Sequence, residues 1–187
     1  MKRLYAILFA VAGIALVSAN ASAQMMKENP MVGGAAMYPS KTIVANAVNS
    51  ADHTTLVAAV KAAGLVDTLN SAGPFTVFAP TNAAFDQLPA GTVDTLLKPE
   101  NKSMLTKVLT YHVLAGKYDS KALAKLIKKG GGKASLKTVS GGTLWAMMDG
   151  DNIVLRDAKG GTSTVTTANV YQSNGVIHVV NAVLLTN

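Results

Sequence analysis

Histidines are the side chains of this 187-residue chain best suited to acid–base or metal chemistry, and there are three of them. His53, His112 and His178 are far apart in sequence, whereas a locally built zinc site needs ligands separated by a few residues. The chain also has no cysteine, which excludes disulfides and thiolate ligands. The sequence therefore predicts no metal site and no cofactor.

Motifs for nucleophilic or phosphate chemistry are missing as well. The chain contains no Gly-x-Ser-x-Gly, no phosphate-binding loop and no dinucleotide-binding glycine pattern. His178 shares a predicted strand face with Val176 and Val180, which favours a neutral, hydrogen-bonded core residue over a ligand. His53 lies in the first turn of a predicted helix, where we expect it to be solvated. These patterns predict a protein that is not an enzyme.

Lysines form the one strong charge feature of the chain. Residues 117 to 137 include seven lysines and one aspartate, a net charge of +6, against +7 for the whole chain. Their spacing predicts a helix that is capped by Asp119 or Ser120 and ended by the glycines at 130 to 132. Leu123, Leu126 and Ile127 share one face of it. The other face carries four lysines that are candidate binding residues: Lys121, Lys125, Lys128 and Lys129.

Two interpretations of this lysine face stay open. Exposed lysines are the ordinary polar half of an amphipathic helix. Their concentration also creates a positive potential that could attract an acidic polysaccharide or a charged surface. Nucleic acid is a poorer candidate, because no aromatic residue is interleaved with these lysines and only one arginine follows residue 23.

The N-terminal residues have the pattern of an export signal. Residues 1–23 combine Lys2 and Arg3 with an apolar run and end in Ala21-Ser22-Ala23. The run from Leu4 to Val17 is shorter than the roughly 20 residues that span a bilayer. We therefore expect a secreted or periplasmic protein with no stable membrane anchor.

A segment rich in Met and Gly follows, from residue 24 to residue 40, and shows no helix or strand periodicity. It is predicted to be a flexible leader. Thioethers are soft ligands for Cu(I), so its four methionines also permit a copper hypothesis. They are irregularly spaced and no histidine accompanies them, which favours the leader.

The segment from Gly73 to Phe85 predicts the central element of the fold. Phe75 to Ala79 is a short run of aromatic and β-branched residues with apolar side chains on both faces, which is typical of a buried strand. Pro80 ends the strand, and Thr81 can cap a helix that begins at Asn82. Mostly helical patterns precede residue 130 and short strands follow residue 136, which predicts a single α+β domain over residues 41–187.

Three further local signals locate helices and strands. Asp52 is a possible cap of one helix, and Thr92 is predicted to cap another. The segment from Asp149 to Asn152 predicts a hairpin turn between two short strands.

Three motifs resemble the conserved blocks of fasciclin (FAS1) domains. The Gly73 to Phe85 segment is similar to the family's first block, Asn174 to Leu185 to its C-terminal block, and Tyr111-His112 to its central Tyr-His pair. The resemblance implies a wedge-shaped β-sandwich with flanking α-helices, found in secreted and cell-surface adhesion proteins without a common catalytic site. In animal members the Tyr-His region has been linked to integrin-mediated adhesion, so the resemblance makes Tyr111 and His112 candidate contact residues.

Those two residues have an alternative interpretation. Tyrosine and histidine flanked by apolar residues commonly pack in a core, with the phenol and imidazole hydrogen-bonded internally. For the whole protein we expect a secreted, non-catalytic adhesion or surface-interaction module that binds a cell-surface or matrix protein or an acidic polysaccharide. The alternative function is a carrier that holds a small apolar ligand between the sandwich and its helices, because the chain is 49% hydrophobic.

Overall fold

The computed structural model of the chain describes residues 29–186, so the predicted export signal and residues 24–28 lie outside the described part. Seven helices are present there: α1 Ile43–Ala47, α2 Thr54–Ala63, α3 Val66–Asn70, α4 Asn82–Asp86, α5 Thr92–Leu97, α6 Lys102–Tyr111 and α7 Ser120–Lys129. Nine strands are present: β1 Met31–Val32, β2 Ala35–Ala36, β3 Phe75–Pro80, β4 Val113–Ala115, β5 Lys133–Lys137, β6 Thr143–Asp149, β7 Asn152–Arg156, β8 Thr162–Gln172 and β9 Gly175–Val180. Short 3-10 turns cover Ala51–His53 and Pro99–Asn101.

Seven of the strands form one curled sheet in the order β4-β3-β9-β8-β7-β6-β5. β3 and β9 run parallel, and the other neighbours in the sheet run antiparallel. The two edges approach each other, because the Val139 amide after β5 donates to the Val113 carbonyl of β4 at 2.8 Å. The result is a barrel-like β-sandwich with flanking helices, which confirms the predicted α+β class.

The predicted central strand is β3, and it separates two hydrophobic clusters. Val77 and Ala79 face the helix-side cluster, which packs against α1 to α6. Phe78 points the other way, into the barrel cluster, whose members are fully or nearly fully buried. Apolar residues on both faces place this strand in the interior, as the sequence predicts. Thr81 caps α4 by accepting the Ala84 amide at 3.3 Å.

Residues 29–40 differ from the predicted flexible leader. β1 and β2 form a small hairpin, and the Ala51 amide donates to the Gly33 carbonyl at 3.0 Å. Val32 and Met37 are buried in the helix-side cluster, whereas Met31 is 62% exposed. One buried residue on β1 and one just after β2 are too few to give a periodic pattern. The packed part of the chain therefore begins before Lys41.

Two helix starts also differ from the predicted caps. The 3-10 turn Ala51–His53 precedes α2, so Asp52 is not its cap, and α5 starts after Gly91, which has a positive φ of 79°. The hairpin predicted around Asp149 to Asn152 is present as β6 and β7. Within residues 29–186, no helix has the length and apolarity that a membrane span requires.

Candidate functional site

Tyr111 ends α6 and is buried inside the fold, with 1% of its surface exposed. Its hydroxyl donates to the Thr143 carbonyl at 2.6 Å and accepts the Ala158 amide at 3.1 Å. The ring lies so close to Gly142 that a Cβ there would sit 2.7 Å from it. Tyr111 therefore ties α6 to the start of β6 and to the turn after β7.

His112 is 3% exposed and both of its ring nitrogens are engaged. Nδ1 lies 2.8 Å from the Val108 carbonyl, which can only accept, and Nε2 lies 2.9 Å from the Leu184 amide, which can only donate. These partners fix the neutral tautomer with the proton on Nδ1. Burial lowers the pKa of His112 to about 4. The imidazole thus links α6 to the C-terminal segment as an uncharged group.

The burial of this pair bears on the contact role that the family resemblance implies. Neither Tyr111 nor His112 presents its side chain on the surface, and all of their polar atoms are used within the fold. In this structure the two side chains have no face to offer a partner. Their geometry is that of core residues that hold α6, β6 and the C-terminal segment together.

The other two histidines are also buried. His178 is fully buried and stacks on Phe78, with ring centroids 5.7 Å apart. Its Nε2 lies 2.8 Å from the Tyr118 carbonyl oxygen. His53 is 3% exposed, so the expectation that it is solvated is wrong. The 3-10 turn before α2 places Nδ1 of His53 2.8 Å from Ser50 Oγ. Burial lowers the pKa of both histidines.

These side chains do not converge on a metal or a catalytic cleft. Over residues 29–186, no group of three or more histidine, aspartate or glutamate residues is arranged to hold a metal ion. His53 and His112 border different cavities of the helix-side layer, and His178 lies on β9 beside Phe78 of β3.

Helix α7 presents the predicted lysine face. The Asp119 carboxylate caps it by accepting the Ala122 amide at 2.8 Å, and this bond contributes to a lowered pKa of Asp119. Leu123 and Ile127 are buried in the barrel cluster, so the opposite side of the helix faces solvent. All four candidate lysines on that side are exposed: Lys121, Lys125, Lys128 and Lys129. We refer to them as the α7 lysine face.

A second basic surface was not predicted from the sequence. Trp145 on β6 faces outwards, because its neighbours Leu144 and Ala146 are fully buried in the barrel. Lys133 of β5 lies over the indole, with Nζ 4.9 Å from the ring centroid, and Arg156 of β7 is directly opposite Trp145. We call this open cleft of about 280 Å³ the Trp145 groove; it is lined by Lys133, Trp145, Arg156, Asp157, Ala158 and Gly160.

One sequence signal could have located this groove. Lys133, Ser135 and Lys137 alternate with buried residues on β5, and Thr143, Trp145 and Met147 alternate with buried residues on β6. The alternation places each set on the outer face of its strand. That the two sets are adjacent follows from the register, in which Ser135 pairs with Trp145 and Lys133 pairs with Met147.

Apolar cavities occur on the helix side of β3. One cavity, between α1, α2 and α3, has a volume of about 60 Å³. Another of about 40 Å³ lies between α2, α6 and β3, and one of about 20 Å³ lies beside His53 and Met37. Pockets for small molecules usually measure ~300–1,000 Å³, so these three are well below the size that a carrier needs.

Comparison with known proteins gives one family. The family model described as the fasciclin domain matches residues 51–186. Protein sll1483 of Synechocystis sp. is 44% identical over 167 residues, which are 89% of this chain and 86% of that protein. Immunogenic protein MPB70 of Mycobacterium bovis is 33% identical over 165 residues, covering 88% of this chain and 73% of that protein. Cell surface glycolipoprotein MPB83 of the same species is 32% identical over 169 residues, covering 87% and 69%.

A solved structure supports the fold. The FAS1 domain pair from the insect cell adhesion molecule fasciclin I superposes with a TM-score of 0.69 at 20% sequence identity. The match covers 78% of this chain and 51% of that one. At this identity the likeness extends to the fold alone.

Proposed function

Because this chain belongs to the fasciclin domain family, we propose that it is an exported, non-catalytic adhesion or surface-interaction module whose α7 lysine face binds an acidic polymer. A relative that covers most of the chain is named as a cell surface glycolipoprotein, which supports a place outside the cytoplasm. The export-signal pattern of residues 1–23 also supports a place outside the cytoplasm. These two observations together support a secreted or periplasmic location.

The exposure of the α7 lysine face is the observation that carries this proposal. The helix buries Leu123 and Ile127 in the barrel and directs four ammonium groups into solvent within 9 residues of sequence. Clustered charges of one sign raise the local concentration of an oppositely charged polymer and speed its association. An acidic polysaccharide or an anionic surface protein is the partner class that fits.

The remaining chemistry supports a binding role over an enzymatic one. The three histidines are buried, and the described residues contain no metal-binding cluster. Members of the family share no common catalytic site. The carrier alternative has less support. The apolar cavities beside α1 to α3 and α6 would have to enlarge several-fold before a ligand could enter. A larger groove of about 690 Å³ between α5, α6 and the C-terminal segment is open to solvent and partly lined by the charged residues Glu100, Lys107 and Lys159.

A charge-matched pair of variants tests the proposal. Replacing Lys121, Lys125, Lys128 and Lys129 by glutamine should leave the unfolding midpoint unchanged and sharply reduce retention on an acidic polysaccharide column. The control variant replaces four dispersed exposed lysines, Lys41, Lys61, Lys98 and Lys102, and removes the same charge. Because a clustered potential is screened by salt, the wild type should elute at a salt concentration well above that of the α7 variant, and the control variant should elute close to the wild type.

Equal loss of retention in both variants would mean that net charge alone drives binding, and the proposal for α7 would fail. Absence of wild-type retention at low salt would remove the acidic polymer as a partner.

A further inference from the structure

We infer that the Trp145 groove binds one carboxylated sugar unit of an acidic polysaccharide. This inference rests on the proposed function for its polymer class, and it adds a second site with its own chemistry. The α7 lysine face and the groove lie on opposite sides of the β5–β6 sheet, since α7 packs on the inner side and Trp145 points outwards. The two surfaces can therefore be tested separately.

Trp145 gives the groove an apolar wall. It is the single tryptophan of the chain, and it stands partly exposed on a solvent-facing strand although large aromatic residues usually pack in the interior. The electron-rich face of an indole attracts polarised C–H groups as it attracts cations. One face of a pyranose ring presents such C–H groups, so an indole at the surface matches a sugar.

Two cations stand on either side of the indole. Lys133 comes from β5 and Arg156 from β7, the strands that flank β6. Within the described part of the chain neither cation forms an ion pair, and the ammonium group of Lys133 lies over the uncharged indole ring. An Arg guanidinium can bind a carboxylate through two parallel hydrogen bonds, which makes Arg156 suited to the acid group of a uronic acid.

The one carboxylate in the groove is already engaged. Oδ1 of Asp157 accepts the amides of Lys159 at 2.9 Å and Gly161 at 2.7 Å, and Oδ2 accepts the Leu185 amide at 2.9 Å. Asp157 is only 4% exposed. Its charge is thus held by backbone dipoles beneath the surface, and the accessible charge of the groove is that of Lys133 and Arg156.

The size and openness of the groove favour one unit of a polymer. Its volume of about 280 Å³ is just below the ~300–1,000 Å³ typical of small-molecule pockets. The cleft is on a sheet face, so the chain of a polysaccharide can continue over the exposed strands on both sides. A single strand of nucleic acid is bound through several stacking aromatics, and this surface has one.

Fluorescence provides a direct test, because Trp145 is the only tryptophan and its emission reports on this groove. We would titrate the protein with trigalacturonate at fixed ionic strength. The comparison ligands are maltotriose, which is a neutral trisaccharide, and a single-stranded oligonucleotide. We expect a saturable change in Trp145 emission with trigalacturonate and none with maltotriose at the same concentrations.

Matched double variants locate the site. Lys133→Gln with Arg156→Gln should weaken trigalacturonate binding by about tenfold or more, because two charge-assisted hydrogen bonds are lost. Lys61→Gln with Lys98→Gln removes the same charge from exposed positions outside both proposed surfaces and should weaken it by less than about threefold, through the long-range potential alone. Trp145→Ala, followed by calorimetry, should abolish binding of the trisaccharide.

The possible failures are distinguishable. Unchanged emission, or equal weakening in the two double variants, overturns the groove inference, while retention on the column that still depends on α7 leaves the proposed function standing. A protein that neither titrates nor binds the column fails both. Tighter binding of the oligonucleotide than of trigalacturonate would overturn the sugar assignment in favour of nucleic acid.

Discussion

The barrel cluster and the helix-side cluster are packed differently, although they share the two sides of the same central strand. In the barrel, Phe78, Leu123, Leu144, Leu155 and Val180 have no exposed surface. On the helix side, cavities of about 20, 40 and 60 Å³ remain between buried residues. Three of the helices there have only five residues, too few for continuous ridges and grooves to interlock.

This difference assigns separate roles to the two sides. Both proposed binding surfaces, the α7 lysine face and the Trp145 groove, are attached to the barrel, where the packed interior positions the backbone that carries their side chains. The helix side is where a carrier would have to open. The comparison therefore places both proposed binding surfaces on the half of the molecule that buries its core more completely.

The largest effect should come from emptying the barrel beside β3. Phe78→Ala is expected to destabilise the fold by about 3 to 5 kcal/mol, because the ring is fully buried and stacks on His178. Phe75→Ala on the helix side is the control: that ring is partly exposed and borders the 40 Å³ cavity, so its removal should cost less than about 3 kcal/mol. Urea denaturation measures both losses in the free energy of unfolding, provided that the dependence of this free energy on urea concentration is unchanged. Equal midpoints would contradict the difference in packing.

Acid should act next, through the histidine that links α6 to the C-terminal segment. His112 has a folded pKa of about 4 against 6.5 for the free side chain, so the unfolded chain binds more protons between these values. The stabilisation by neutral His112 is complete above pH 6.5 and is lost as the pH falls towards 4. Between pH 7 and pH 4.5 the free energy of unfolding should fall by about 2.5 kcal/mol from this group alone.

His112→Asn separates this contribution from the other two histidines. Burial lowers the pKa of His53 and His178 too, so part of the acid sensitivity should remain in the variant. Urea midpoints measured at pH 7 and pH 4.5 should differ less in His112→Asn than in the wild type. If the two differences agree, His112 is not the titrating link.

Most of the fold followed from local signals in the sequence. The buried strand β3, the Thr81 and Asp119 caps and the hairpin at Asp149 to Asn152 each depend on residues within a few positions of one another. The family resemblance is confirmed by the match over residues 51–186. Long-range placement could not be predicted in the same way. Lys133, Trp145 and Arg156 meet only through the register of three strands, and no local pattern carries that register.

The same limit explains two other differences. His53 lies in a polar-looking helix start, and only the packing of the β1–β2 hairpin and the 3-10 turn buries it. Met37 belongs to a segment without periodicity, yet it is buried as a single anchor. A residue that packs alone, against elements distant in sequence, leaves no repeating pattern to read.

The smallest effect should come from adding volume to each cluster. Ala146→Val places two methyl groups in the barrel, where Ala146 is fully buried, and overpacking should cost about 1 to 2 kcal/mol. Ala47→Val on α1 adds the same groups beside the 60 and 20 Å³ cavities, and stability should change by less than about 1 kcal/mol. Intrinsic propensity acts the opposite way, since valine favours strands and disfavours helices. Thermal unfolding of the two variants therefore separates the effect of packing from that of propensity. If Ala47→Val destabilises the fold more than Ala146→Val does, propensity outweighs packing, and the helix-side cluster is as closely packed as the barrel.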